Sequence, residues 1–209
     1  ILVNGAAGNF LSPAAQLSPN GFKTVIEIDT VGTFNASRLC FEHLVASGGV
    51  VLNVSATQAW VPTPMQVHAG AAKAAIQKMT QDLALEWGPM GVRVVGIAPG
   101  PIESTEGMTR LSTPELREKL MKKMPLRRWG TTKEIGETAV FLCSDAAAFI
   151  TGTTLVVDGG QALRGGRRRC GKIGHGHHPW IGEWTFLRTG NPGEGSTPPL
   201  FPRSHRRLL

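Results

Sequence analysis

The chain has 209 residues, 41% of them hydrophobic, enough for one sizeable core. No apolar run reaches the roughly 20 residues of a membrane-spanning helix, and no amphipathic transit peptide opens the sequence. The net charge of +7 excludes less than it suggests, because residues 1–163 balance 13 Lys+Arg against 13 Asp+Glu and the excess falls in residues 164–209, nine Lys/Arg against Glu183 and Glu194. Basicity therefore argues for neither a specific nucleic-acid partner nor an acidic membrane for the folded part. Cys40, Cys143 and Cys170 are odd in number and widely spaced, so neither a disulfide framework nor a zinc site is indicated.

In chain order, residues 1–3 read as a strand, so the sequence opens on Ile1 rather than Met and reads as starting inside a domain. Residues 21–45 have helical length and a 3.6-residue apolar spacing, followed by a strand at Val50–Val54 and a second long helix over 66–87. A strand over 92–97 comes next, then helices over 114–123 and 132–143 and a strand over 155–157. Thr113 is placed to cap the first of these short helices, with Pro114 in its first turn. Each strand is apolar on both faces, as strands covered by helices on two sides must be. The alternation predicts an α/β fold with a doubly wound parallel sheet, of which residues 1–161 are the C-terminal part.

From residue 162 to 209 the chain turns rich in Gly, Pro, Arg and His, without periodicity. Such a composition buries too little surface to offset chain entropy, and we expect a disordered basic tail. Cys170, His175, His177 and His178 match no zinc spacing, so no metal is expected there.

Three segments carry candidate chemistry. The turn Asn4-Gly5-Ala6-Ala7-Gly8 follows the first strand, where small residues let backbone approach a ligand closely. Ala98-Pro99-Gly100-Pro101-Ile102, with Thr105 beyond it, forms a second rigid turn at the same sheet edge, and Thr105 could donate to a carboxamide or phosphate. The alternative for this segment is a plain strand-to-helix connector. Lys73 sits in His68-Ala69-Gly70-Ala71-Ala72-Lys73-Ala74-Ala75-Ile76, where its ammonium could reach ribose hydroxyls. The alternative is a surface lysine lying along apolar neighbours.

Taken together these segments resemble the short-chain dehydrogenase/reductase family over about 160 residues, in the family's own order. The matching pieces are Asn4–Gly8, Gly32-Thr33-Phe34, the run from Gly48 to Ser55, the helix with Lys73, and Gly91-Val92-Arg93-Val94 leading to Pro99-Gly100. Pro125 to Gly130, Phe149-Ile150-Thr151-Gly152 and Val157-Asp158-Gly159-Gly160 complete the set. The resemblance implies a Rossmann-type sheet, NADP(H) as cofactor and a homo-oligomer.

The departures from that family are informative. Its tyrosine, four residues before the lysine, is Ala69 here; its serine falls on Ala56; its asparagine, three residues before Gly32, is Asp29. There is no tyrosine anywhere in the sequence. A carbonyl reductase needs that phenol to protonate the nascent alkoxide, so alcohol chemistry is not expected. The pattern is similar to the branch of the family that reduces 2,4-dienoyl-CoA thioesters in the peroxisome. There the charge develops on a dienolate, held at its thioester oxygen and protonated on carbon. The resemblance assigns catalysis to Asp29 and Lys73, and cofactor binding to Asn4, Ala6, Lys73, Pro99, Gly100, Pro101, Ile102 and Thr105. It assigns a fatty acyl-CoA to Phe10, Ser18, Pro19, Asn20 and Arg110.

The family's glycine-rich loop, which cradles the pyrophosphate at a helix N-terminus, is not in this sequence. We therefore expect a chain truncated at its N-terminus, lacking the first three strands, with an apolar sheet edge left bare. Its last residues, Arg207-Leu208-Leu209, are not a peroxisomal signal, which leaves the cytoplasm as the other location. Beside the reductase stands a second expectation, a non-catalytic chain that at most associates with intact subunits.

Overall fold

The computed structural model describes residues 1–105, 107 and 112–164. The chain divides into a unit of Ile1–Arg168 and a unit of Arg169–Leu209, and the account below concerns the first. The tail expected to be disordered lies outside the described residues from position 165 onward, as do its cysteine and histidines.

Four strands make one all-parallel sheet in sequence order: β1 (Leu2–Asn4), β2 (Val50–Val54), β3 (Arg93–Pro99) and β4 (Thr154–Val157). The register sets Val51 between Leu2 and Val94, and Leu52 between Val3 and Val95. Successive side chains point to opposite faces, so Val51 and Val94 join one core while Val50, Leu52, Val95 and Ile97 join another. Helices close both cores. They are α1 (Pro19–Ile26), α2 (Gly32–Ser47), α3 (Val67–Trp87), α4 (Pro114–Met121) and α5 (Thr132–Cys143). Leu44 of α2 and Leu83, Ala84 and Trp87 of α3 seal the first core, with Phe41 tilted onto Trp87 at 4.9 Å between centroids. Leu142 of α5, backed by Ile135 and Ala139, seals the second. This is the doubly wound arrangement that the strand–helix alternation predicts.

The single helix expected over 21–45 is two helices joined by a π-helical turn, Glu27–Val31. One extra residue per turn rotates Asp29 inward to full burial, while Glu27, Ile28 and Val31 stay at the surface. Side-chain partners of Asp29, described below, hold the turn in that state. Ser18 caps α1 by accepting from the Gly21 N–H at 3.0 Å, and Gly48 ends α2 in the left-handed region at φ 57°. Thr113 caps α4 with Pro114 in its first turn, as its sequence predicts.

All four strands end at the same edge of the sheet, where the loops after Asn4, Val54, Pro99 and Val157 emerge. Beneath that edge runs a buried polar ladder. The Asn4 amide donates to Ser37 Oγ at 3.0 Å and to Asn53 Oδ1 at 2.8 Å, and the Asn53 amide donates to Thr80 Oγ1 at 2.9 Å. With both amide hydrogens engaged inside, Asn4 anchors the turn at residues 5–8 from below. After β4, both Asp158 oxygens accept backbone N–H groups, from Gly160 and Ala162, and a short helical turn runs over Gln161–Arg164.

Candidate active site

Lys73 lies in the second turn of α3 and is buried, only 8% exposed. Small residues around it leave room for the ammonium to fold back beneath the sheet edge, where it donates to the Val54 carbonyl at 3.1 Å. Its Nζ also stands 3.1 Å from Asp29 Oδ2, forming an ion pair whose side chains are 10% and 1% exposed. The α3 backbone is tied to β2 at the same level, since Ser55 Oγ donates to the Lys73 carbonyl. A surface lysine is excluded, as is a solvated acid at Asp29.

The carboxylate is fixed from two sides. Oδ1 accepts the Gly8 N–H at 2.7 Å, so the glycine turn after β1 reaches the site through backbone. Oδ2 faces Lys73 but accepts no hydrogen bond from the described residues, although it is fully buried. A buried charge is tolerated only when paired and hydrogen-bonded, and here Lys73 supplies the pairing and Gly8 the hydrogen bond. Ala69, one turn before Lys73, is buried at 2% exposure, and Ala56 follows Ser55 at the end of β2. Neither side chain can donate a proton.

Phe10 lies across His68 in a stack, with centroids 4.3 Å apart and planes at 25°. Ser18, Pro19 and Asn20 form the exposed start of α1, and the hydroxyl of Ser18 is engaged as the helix cap. Helix α1 packs against α3, and a Cβ at Gly21 in its first turn would stand 3.2 Å from the Phe10 ring. Arg110, assigned to the same substrate, lies outside the described residues. Pro101 and Ile102 are buried at the end of β3, and Thr105 Oγ1 donates to the Ile102 carbonyl at 3.0 Å. A Cβ at Gly100 would stand 2.6 Å from Asp158 Cα, so the loops after β3 and β4 touch through backbone. Ala6 is exposed on the turn after β1.

A polar seam not apparent from the sequence joins these loops. Asn9 Nδ2 and Gln58 Nε2 both donate to Gln66 Oε1, at 2.7 and 2.6 Å, and Ser12 N–H donates to the Met65 carbonyl. His68, wholly buried and stacked on Phe10, is a second feature to which the sequence assigns no role. The one available signal was a histidine embedded in a run of small residues.

Residues 1–162 match the family model described as enoyl-(acyl carrier protein) reductase. The peroxisomal 2,4-dienoyl-CoA reductase ((3E)-enoyl-CoA-producing) of Saccharomyces cerevisiae is 48% identical over 160 residues, covering 77% of this chain and 55% of the yeast protein. The enzyme of the same name from Rattus norvegicus is 49% identical over 163 residues, covering 77% of this chain and 56% of the rat protein. The chain thus spans about half the length of these relatives. A short-chain dehydrogenase from Bacillus anthracis superposes with a TM-score of 0.68 at 44% identity, covering 77% of this chain and 63% of that one. A gluconate 5-dehydrogenase from Burkholderia cenocepacia, solved with NADP and tartrate, gives 0.74 at 28% identity over 78% of this chain and 64% of that one. With a family match running from Ile1 into the turn after β4, and with strand order, glycine turn and buried lysine in agreement, the chain belongs to the short-chain dehydrogenase/reductase family.

Proposed function

We propose that this chain carries the acid–base residues of an NADPH-dependent reductase that converts 2,4-dienoyl-CoA thioesters to 3-enoyl-CoA during oxidation of unsaturated fatty acids. The observation that carries the reading is the buried Asp29–Lys73 pair, set in a site whose usual serine and tyrosine positions are Ala56 and Ala69. A site without a phenol is unsuited to protonating an alkoxide, and a dienolate needs its proton on carbon instead.

The residues present fit the cofactor. A lysine ammonium has three donors; here one goes to the Val54 carbonyl and Asp29 takes the charge, leaving a donor for ribose hydroxyls. Asn4 and Ala6, with Pro99, Gly100, Pro101, Ile102 and Thr105, would flank it from the ends of β1 and β3. Bound NADPH would supply the hydride, and the chain's own groups manage the charge and proton that follow. Lys73 holds positive charge beside the reacting system and pairs with Asp29 at 3.1 Å. Asp29, clamped at Oδ1 by Gly8 N–H, offers Oδ2 to orient one water, and the proton that reaches the substrate carbon comes from that water and is replaced from solvent.

Phe10, Ser18, Pro19, Asn20 and Arg110 form the acyl-CoA side of the reading. Homo-oligomer formation is supported by large apolar side chains exposed on the long helices, Leu39 and Phe34 on α2 and Leu85 on α3. The names of the yeast and rat relatives support a peroxisomal location. The reading is tested by following NADPH absorbance at 340 nm with 2,4-hexadienoyl-CoA and, separately, acetoacetyl-CoA. We expect consumption with the dienoyl thioester alone; comparable turnover of the ketoacyl thioester would overturn it.

A further inference from the structure

Among the described residues, every buried side-chain polar atom without a hydrogen bond belongs to Asn9, Asp29, Thr30 or His68. These four sit on three segments that meet. The loop carrying Gly8, Asn9 and Phe10 donates from Gly8 N–H to Asp29 Oδ1 and lays the Phe10 ring on His68. Unmet polar groups are normally rare; Asp29 Oδ2 still has the Lys73 ammonium at 3.1 Å, whereas Asn9 Oδ1 on the loop and the His68 ring beneath Phe10 have no partner. Of the four, His68 stands out. Its residue is 0% exposed, both ring nitrogens lack a partner, and its imidazole face is shielded by Phe10, which itself is 40% exposed. A neutral imidazole carries one N–H donor and one acceptor, and as core packing alone a phenyl ring would serve without stranding either.

We propose that His68 is a further substrate-holding residue: its ring N–H donates to the thioester oxygen of the bound acyl-CoA once Phe10 shifts off the stack to lie along the acyl chain. This rests on reading the site as one for a conjugated thioester. It accounts for a donor that the site otherwise lacks, since charge develops on that oxygen while Ala56 and Ala69 offer nothing to hold it. His68 immediately precedes Ala69 on α3, and the same loop that covers it also clamps Asp29. No covalent bond forms at His68; it gives and then releases one hydrogen bond.

The test combines binding with turnover on the full 209-residue chain. With 15N-histidine labelling, the ring signals of His68, identified by their loss in His68→Phe or in His68→Gln, are followed while 2,4-hexadienoyl-CoA is added. We expect the His68 N–H resonance to move on binding. We also expect His68→Phe to keep or raise Tm and to lower kcat about 100-fold, the typical cost of losing one oxyanion donor, with NADPH affinity unchanged. His68→Gln, which retains an N–H donor, should stay within about tenfold of wild type. His68 signals that stay put while other signals shift, or His68→Phe turning over at the wild-type rate, would overturn the proposal and leave the reading of the site intact. If the dienoyl thioester moves no signal at all, the reading itself fails and the proposal with it.

Discussion

A carboxylate with 1% of its side chain exposed is tolerated in a protein when it is both paired and hydrogen-bonded. For Asp29 the partners are a backbone N–H from the glycine turn and the ammonium of Lys73, supplied from opposite directions by segments far apart in the chain. Removing one partner strands the other charge. Lys73→Met should therefore lower the unfolding free energy by about 3–5 kcal/mol. In urea titrations the double variant Asp29→Asn/Lys73→Met should be more stable than Lys73→Met alone, because the uncompensated carboxylate is gone. A strictly additive loss would show that the pair does not interact. At this scale the sequence was legible where a residue type was out of place. Lys73 among alanines and glycines, Asp29 for asparagine and Ala69 for tyrosine all pointed to the site. His68 was not legible, because nothing in a sequence says which buried nitrogens will lack partners.

At the scale of elements, the patterns that decided strands and helices were apolar character on both faces and 3.6-residue spacing. Burial on both faces holds for β2 and β3, whereas Val3 of β1 and Leu155 and Val156 of β4 are exposed because these strands lie at the two sides of the sheet. The π-helical turn at Glu27–Val31 broke the expected single helix because periodicity does not report where one extra residue can be inserted. Only the tertiary reach of Gly8 and Lys73 to Asp29 selects that position. Helix α5 shows the opposite case, written wholly in local sequence. Thr131 accepts from Glu134 N–H and Glu134 accepts from Thr131 N–H, a reciprocal cap. Thr131→Ala should cost about 0.5–2 kcal/mol in urea unfolding. Glu134 is further tied to Arg128, whose guanidinium, together with the Thr131 N–H, holds the carboxyl down from 4.5 to about 2. A carboxyl depressed in the folded state contributes fully above its unfolded value and loses that contribution as pH falls toward the folded one. The stability difference between wild type and Glu134→Gln should therefore be complete above about pH 4.5 and vanish by about pH 2. A difference that stays constant across that range would show that the ionised form is not what matters.

For the molecule as a whole, Gly8, Asp29, Val54 and Lys73 meet at the common edge where the strands end, and the turn over residues 99–105 leaves the sheet at that same edge. Neither end of that list is chemically meaningful without the other, which is why the family resemblance had to be read across some 160 residues and not from any one motif. Tolerance at the edge is correspondingly low. Gly100→Ala places a methyl against the Asp158 backbone and should destabilise by about 1–3 kcal/mol through overpacking, seen as a lowered Tm. The central claim is that Asp29, paired with Lys73, does the proton work that a tyrosine does elsewhere in the family. Its most direct test is kcat for 2,4-hexadienoyl-CoA reduction by wild type and Asp29→Asn, with NADPH affinity measured alongside. The account predicts at least a 100-fold fall in kcat with NADPH affinity little changed. Wild-type turnover by Asp29→Asn, or NADPH binding without turnover by the wild type itself, would contradict it.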